Sequence, residues 1–264
     1  PPSKEILSTG SLAVPNPYNP EEETIYRDWK AHGWVDMREA IAVSSNVYFY
    51  TVGGGHDNQN GLGITKIEKY LKEFGFEKKT NINLSQEAKG LVPNPRWKKE
   101  IFDDDWRLGD TYITAIGQFG FQITPIQAAR NTAFIANSGK LIEPNVLKIK
   151  NPKVEKKVNI DKEKFEIVQE GMRSAVIKGT ANSLNFPYVK IAAKTGTAEI
   201  GAAKESVNSW IIGYFPYENP RFSFAVVLER RQSSNPIGAL FVMTNLIDWM
   251  HINTPEYLEN NTNI

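Results

Sequence analysis

The residues best suited to chemistry are Lys194-Thr195-Gly196-Thr197, which lie late in the chain within an apolar run. A lysine among apolar residues is costly to bury unless its ammonium faces a polar site. A glycine inside a strand often marks a place where a ligand or another backbone approaches closely. The tetrapeptide therefore predicts a strand that offers Lys194 and two threonine hydroxyls to an extended substrate. An exposed edge strand with a glycine bulge is the alternative interpretation.

A second polar cluster, Ser44-Ser45-Asn46, interrupts an apolar stretch about 150 residues earlier. Short polar side chains compete with a helical backbone for its hydrogen bonds. We therefore expect a break between two buried helical segments, one capped by Asp36 and the other beginning at Val47. A serine and an asparagine two residues apart are also common in polar turns. The break in the helix favours the interpretation that this cluster and the lysine strand line one cleft.

Other parts of the chain must position these two clusters. Apolar periodicity and capping residues predict helices at 64–74, from Thr124 to about Asn137, at 161–178 and at 236–250. Strands are predicted at 189–199, 208–215 and 222–229, with a turn at 217–220 between the last two. An irregular connection is expected over 1–30, an extended excursion over 76–107 and a frayed tail over 251–264. Grouped helices, consecutive strands and a terminal helix predict an α+β fold built on an antiparallel sheet.

The composition argues against several classes of function. The 264 residues carry a net charge of +1, so a dedicated nucleic-acid-binding role is not expected. Without cysteine the chain has neither disulfides nor thiolate chemistry, and its three histidines lack the spacing of metal ligands. No metal or organic cofactor is therefore expected. The sequence has no apolar run of membrane-spanning length.

The wider sequence resembles class B penicillin-binding proteins in nearly all of residues 1–264. The resemblance rests on REAIAVSSNVYFY and KTGTAE, with GLVPNPRWKK at 90–99, GDTYITAIGQFGFQITPIQAAR at 109–130 and SWIIGYFP at 209–216. The Trp-Lys-Lys run that follows the proline pair of GLVPNPRWKK resembles the corresponding segment of the elongation-type branch of this family. S-x-N and K-T-G correspond to two of the three motifs of penicillin-binding proteins and serine β-lactamases.

The resemblance implies catalytic roles for three residues. Ser44 would pass protons between a serine nucleophile, a lysine and the leaving group, and Asn46 would hydrogen-bond the amide of the acyl donor. Lys194 would place positive charge near this relay and the substrate carboxylate, which eases proton transfer.

The same resemblance implies substrate-binding roles for the rest of the K-T-G-T motif. Thr195 and Thr197 would bind the terminal carboxylate of a D-Ala-D-Ala stem peptide or the carboxylate of a β-lactam. Gly196 would let the strand approach this ligand. The backbone N–H of Thr197 would supply half of an oxyanion hole.

The family's first motif, S-x-x-K, is absent from residues 1–264. We therefore expect a partial transpeptidase domain whose nucleophile segment and membrane anchor lie upstream of Pro1, and a segment that is inactive by itself. The implied whole protein cross-links peptidoglycan as a D,D-transpeptidase at the extracytoplasmic face of the bacterial plasma membrane. Its expected partners are stem peptides, β-lactams and proteins of the cell-wall elongation complex. A non-catalytic binding or scaffold module and a serine β-lactamase are the alternatives.

Overall fold

The computed structural model describes residues 1–16, 18–201 and 205–259. The helices are α1 (Met37–Val43), α2 (Asn46–Gly54), α3 (Ile64–Glu73), α4 (Pro95–Phe102), α5 (Leu108–Ala115), α6 (Pro125–Ala136), α7 (Lys162–Ile177) and α8 (Ala239–Asn253). The strands are β1 (Ile6–Ser8), β2 (Ser11–Asn16), β3 (Asn19–Arg27), β4 (Gly33–Val35), β5 (Lys140–Ile142), β6 (Val154–Lys157), β7 (Ala192–Ile200), β8 (Ser206–Phe215) and β9 (Phe222–Gln232).

An antiparallel sheet in the order β7-β8-β9 carries the lysine motif, and β7 lies at one of its edges. Lys194 is paired with Ile212 across this sheet. The sheet packs against α7 and α8 through buried apolar residues that include Val176, Ile211 and Met243. Together with the helices at the predicted positions, this arrangement confirms the predicted α+β fold.

A second packing unit surrounds α2. Val47 and Tyr50 on one side of this helix pack with Leu12 of β2 and Tyr112 of α5. The preceding helix, α1, instead packs through Ile41 against α7 and the sheet. The break between α1 and α2 therefore lies where the two packing units meet.

The prediction of an irregular connection over 1–30 is wrong. Strands β2 and β3 form an antiparallel hairpin in which Leu12 pairs with Tyr26 and Ala13 with Ile25. Strand β3 carries three consecutive glutamates, so the hairpin shows little of the apolar alternation that reveals a strand in sequence. Residue 17 lies outside the described residues.

The prediction of an extended excursion over 76–107 is wrong for α4. This helix begins with Asn94, whose side-chain oxygen accepts a hydrogen bond from the Trp97 backbone N–H, and with Pro95 in its first turn. A proline is favourable at that position because the N–H it lacks would have no partner within the helix. Pro95 is thus part of a helix start within the segment predicted to be extended.

The prediction of a frayed tail over 251–264 is wrong up to residue 259. Residues 260–264 lie outside the described residues. Helix α8 continues to Asn253, a short 3₁₀ helix spans Pro255–Tyr257, and Leu258 is buried. Within the described ranges, no helix combines the length and apolarity needed to cross a bilayer.

Candidate active site

Ser44 occupies the break between α1 and α2 in a left-handed conformation, with φ 59° and ψ 47°. Serine lacks glycine's freedom in this region, so the surrounding contacts must maintain the conformation. Ser45 is buried and caps α2, because its hydroxyl accepts a hydrogen bond from the backbone N–H of Tyr48 at 3.3 Å. The chain thus ends one helix and begins the next within two residues, and this leaves the Ser44 side chain at the junction.

The structure brings Lys194 and Ser44 together across 150 residues of sequence. Lys194 Nζ donates hydrogen bonds of 2.7 Å to Ser44 Oγ and of 2.7 Å to the carbonyl oxygen of Thr195. Burial penalises the ammonium form and lowers the pKa of Lys194 to about 8. An amine with that pKa exchanges a proton near neutral pH much more readily than an ordinary lysine.

The remaining K-T-G-T residues differ in exposure. Thr195 is half-buried, whereas Gly196 and Thr197 are exposed on β7. A Cβ atom added to Gly196 would lie 3.4 Å from Trp210 Cβ, which is an ordinary contact. The folded chain therefore has room for a side chain at this position. Packing within the described residues thus does not explain why a glycine stands here.

Thr180 connects the two motifs, and sequence reasoning missed it. Its hydroxyl accepts a hydrogen bond of 2.7 Å from Thr195 Oγ1, and its backbone N–H donates to the Ala42 carbonyl of α1 at 3.1 Å. The preceding Gly179 packs so closely that an added Cβ would lie 2.1 Å from that carbonyl oxygen. A glycine and a threonine directly after a predicted helix were the available signal.

Asn46, the first residue of α2, contacts the end of β3. Its Nδ2 donates a hydrogen bond of 3.4 Å to the Arg27 carbonyl. A carboxamide has a second N–H and an oxygen, so this contact can orient Asn46 while leaving it capacity for a ligand. Asp28 and Trp29, which sequence reasoning also missed, make further contacts with the same helix break.

These positions form one polar site between α1, α2 and β7. It contains a buried amine hydrogen-bonded to a serine hydroxyl, a carboxamide, and an exposed strand edge with hydroxyl groups. Such a set is suited to proton relay and to binding an extended ligand that carries a carboxylate. The sequence profile of the penicillin binding protein transpeptidase domain matches residues 4–241. The chain belongs to this family.

Relatives with names and solved structures agree with this assignment. Peptidoglycan D,D-transpeptidase MrdA of Acinetobacter baumannii is 31% identical over 235 residues, which cover 80% of this chain and 34% of that protein. The structure of a penicillin-binding protein (PBP2) from Helicobacter pylori superposes with a TM-score of 0.80 and 31% identity. That match covers 97% of this chain and 46% of the solved one. The class B resemblance is thereby confirmed.

A second structure from Helicobacter pylori is a complex between PBP2 and MreC. It matches with a TM-score of 0.78 and 30% identity, covering 96% of this chain and 46% of that one. The present chain thus spans about a third of the curated relative's length and about half of the solved chains.

Proposed function

We propose that this chain is part of a peptidoglycan D,D-transpeptidase domain. The observation that carries the proposal is the hydrogen bond from Lys194 to Ser44 beside the exposed β7. This bond joins the second and third family motifs in a chain whose relatives are named peptidoglycan D,D-transpeptidases.

The reaction would proceed through an acyl-enzyme. A serine supplied from outside residues 1–264 attacks the penultimate carbonyl of a D-Ala-D-Ala stem, the peptide bond breaks, and terminal D-alanine leaves as its amine. Ser44 and Lys194 relay the serine's proton to this leaving amine. An amine from a second stem then displaces the serine, which recovers a proton through the same relay. Each cycle thus breaks one peptide bond in the donor stem and forms one peptide bond in the cross-link.

Binding of the donor stem would use the other motif residues. Asn46 holds an amide of the stem, and Thr195 and Thr197 hold its terminal carboxylate. Gly196 allows the stem to lie close to β7, and the Thr197 backbone N–H stabilises the oxyanion together with the N–H of the nucleophile. A β-lactam would occupy the same place and acylate the same serine.

We also propose a cellular setting for the whole protein. We place the reaction at the extracytoplasmic face of the plasma membrane, with a membrane anchor and the S-x-x-K segment contributed by sequence upstream of Pro1. Proteins of the cell-wall elongation complex are the proposed partners, in line with the solved complex of PBP2 with MreC.

Labelling with a fluorescent penicillin tests the proposal. The longer protein that carries this chain should be labelled, and its Lys194→Met variant should be labelled at least about a hundredfold more slowly, as expected for loss of a proton relay. Residues 1–264 alone should stay unlabelled. Labelling of the isolated chain at Ser44 or another serine would overturn the assignment of the nucleophile.

Two other outcomes identify the alternatives. Absence of labelling in the longer protein, with the fold intact by circular dichroism, indicates a non-catalytic binding or scaffold module. Rapid hydrolysis of the penicillin with no transfer from a D-Ala-D-Ala stem to an added D-amino acid indicates a β-lactamase.

A further inference from the structure

The segment that leaves β3 runs along the break between α1 and α2, on which the proposed function depends. We propose that Asp28 and Trp29 are positioning residues that hold Ser44 and Asn46 in place for proton relay and substrate binding. Asp28 fixes the start of α2, and Trp29 fixes the end of α1. The inference rests on the proposed function for its catalytic meaning.

Asp28 supplies hydrogen-bond acceptors to the start of α2. Its side chain is fully buried. One carboxylate oxygen accepts from Ser45 Oγ at 3.0 Å, from the Val47 backbone N–H at 3.0 Å and from Ser8 Oγ at 3.3 Å. The first N–H groups of a helix have no partner within it, and the helix dipole places partial positive charge at this end. Both features favour an anion there. Asp28 therefore fixes both the capping serine and the first turn of α2.

Trp29 supplies a donor to the end of α1. Its indole Nε1 lies 3.2 Å from the Val43 carbonyl oxygen and 3.2 Å from that of Ser44. The last carbonyls of a helix lack partners within it and favour a donor. Trp29 is 58% exposed, so burial of its ring explains its position less well than this hydrogen bond does. The buried His32 flanks the pair, with Nε2 3.7 Å from Asp28 Oδ1 and its ring 5.0 Å from the Trp29 ring centroid.

The two contacts act on opposite sides of Ser44. The carboxylate holds the residues that follow Ser44, the indole holds the carbonyls of Val43 and Ser44, and the Arg27 carbonyl orients Asn46. Ser44 is left-handed, so a loss of either contact lets the break relax towards commoner conformations. The Ser44 hydroxyl would then leave the 2.7 Å hydrogen bond with Lys194. The expected result is slower acylation, together with a more mobile backbone around Ser44.

The first test compares Asp28→Asn with Glu87→Gln in the longer protein. Glu87 is the matched control, because its carboxylate also organises a turn, accepting from the Thr80 N–H and hydroxyl at 2.6 Å and from the Asn81 N–H at 3.1 Å. The amide in Asp28→Asn turns a donor towards groups that themselves donate. We expect penicillin acylation to slow by roughly 10- to 100-fold, as loss of charge-assisted hydrogen bonds implies. Glu87→Gln should change the acylation rate less than about threefold.

The second test compares Trp29→Phe with Trp34→Phe, an exposed tryptophan on β4. Phenylalanine keeps the aromatic ring and removes the indole N–H. We expect roughly tenfold slower acylation for Trp29→Phe and no change for Trp34→Phe. If Asp28→Asn fails to fold, the Trp29→Phe variant still tests the proposal.

Hydrogen exchange in the longer protein provides a readout independent of activity. Amides of residues 43–47 should exchange faster in Asp28→Asn and Trp29→Phe than in their controls. If the wild-type protein is not acylated at all, the proposed function fails, yet faster exchange at 43–47 still supports the positioning role. Acylation rates and exchange equal to those of the controls, at matched melting temperatures, would overturn it.

Discussion

At the scale of single residues, the most informative group is the Lys194 amine. It is held between Ser44 Oγ and the Thr195 carbonyl, two uncharged acceptors, and burial is the cause of its lowered pKa. Among the residues that the structure describes, no carboxylate is a cause of that shift. The neutral amine is therefore accessible near physiological pH, as a relay between hydroxyl groups needs.

The first prediction concerns the titration of Lys194. Its pKa falls from 10.5 to about 8 on folding, so the unfolded chain binds more protons between these values. The contribution of Lys194 to the free energy of unfolding should therefore increase with pH from about 8 to 10.5. Below pH 8 this contribution should not change with pH. The difference in unfolding free energy between wild type and Lys194→Met, followed by denaturant titration at several pH values, measures the effect. A difference that stays constant over this window would contradict the prediction.

At the scale of elements, the site depends on how closely α7 approaches α1. Gly179 and Thr180 follow α7 and meet the Ala42 carbonyl, so a short backbone contact connects the serine break to the lysine strand. Two glycines in the site thus serve different purposes. Gly179 is required by the packing of the chain itself, whereas Gly196 has room for a side chain.

The two glycines give a matched pair of variants. Gly179→Ala should reduce the free energy of unfolding by about 1–3 kcal/mol, because α1 and α7 must separate to admit the methyl group. Gly196→Ala should change it by less than about 0.5 kcal/mol and slow penicillin acylation of the longer protein. Urea denaturation of both variants checks the first comparison. Equal stability losses in the two would show that the packing argument is wrong.

Local signals in the sequence predicted six helices and the three strands of the sheet that carries Lys194, but not α4, α5 or β1 to β6. Asp36 and Thr124 were predicted as helix caps, and both side chains accept the expected backbone hydrogen bonds. The β2–β3 hairpin was missed because its exposed strand is charged. The α4 helix was missed because it is short and lies in a segment of mixed composition, where the proline at its start gives no apolar periodicity.

The candidate site was predictable to a lesser degree. Its motif residues came from family resemblance, and the structure brings Ser44 and Lys194 into direct contact. Asp28, Trp29 and Thr180 act through tertiary contacts that no local pattern encodes. The partners of these side chains at the site lie 14 to 19 residues away in sequence. Only the folded arrangement shows which helix end each side chain reaches.

At the scale of the whole molecule, α8 presents an apolar face outward. While Met243 and Ile247 face the core, the opposite side of the helix has apolar residues that are 38–78% exposed, namely Phe241, Val242, Leu246, Trp249 and Ile252. Contiguous apolar patches are uncommon on isolated soluble domains. These α8 side chains form an apolar surface of the kind that often contacts another protein or segment.

The last prediction concerns this face. The isolated chain should bind the dye 8-anilinonaphthalene-1-sulfonate and sediment as larger species at higher concentration. The double variant Trp249→Lys/Ile252→Lys should reduce both effects. Val146→Lys/Leu147→Lys, which changes two exposed apolar residues outside α8, is the control. If the two double variants behave alike, the α8 face is not the cause.

The hydrogen bond between Lys194 and Ser44 also has a consequence for how the protein is made. It closes a loop of 150 residues, and the entropy of such a closure must be offset by packing formed earlier. During synthesis on a ribosome, Ser44 emerges long before Lys194 is translated. The break between α1 and α2 can be organised by Asp28 and Trp29 from the start, because these residues precede it by fewer than 20 positions. We therefore expect the geometry around Ser44 to form early and the relay to assemble only when β7 has left the exit tunnel.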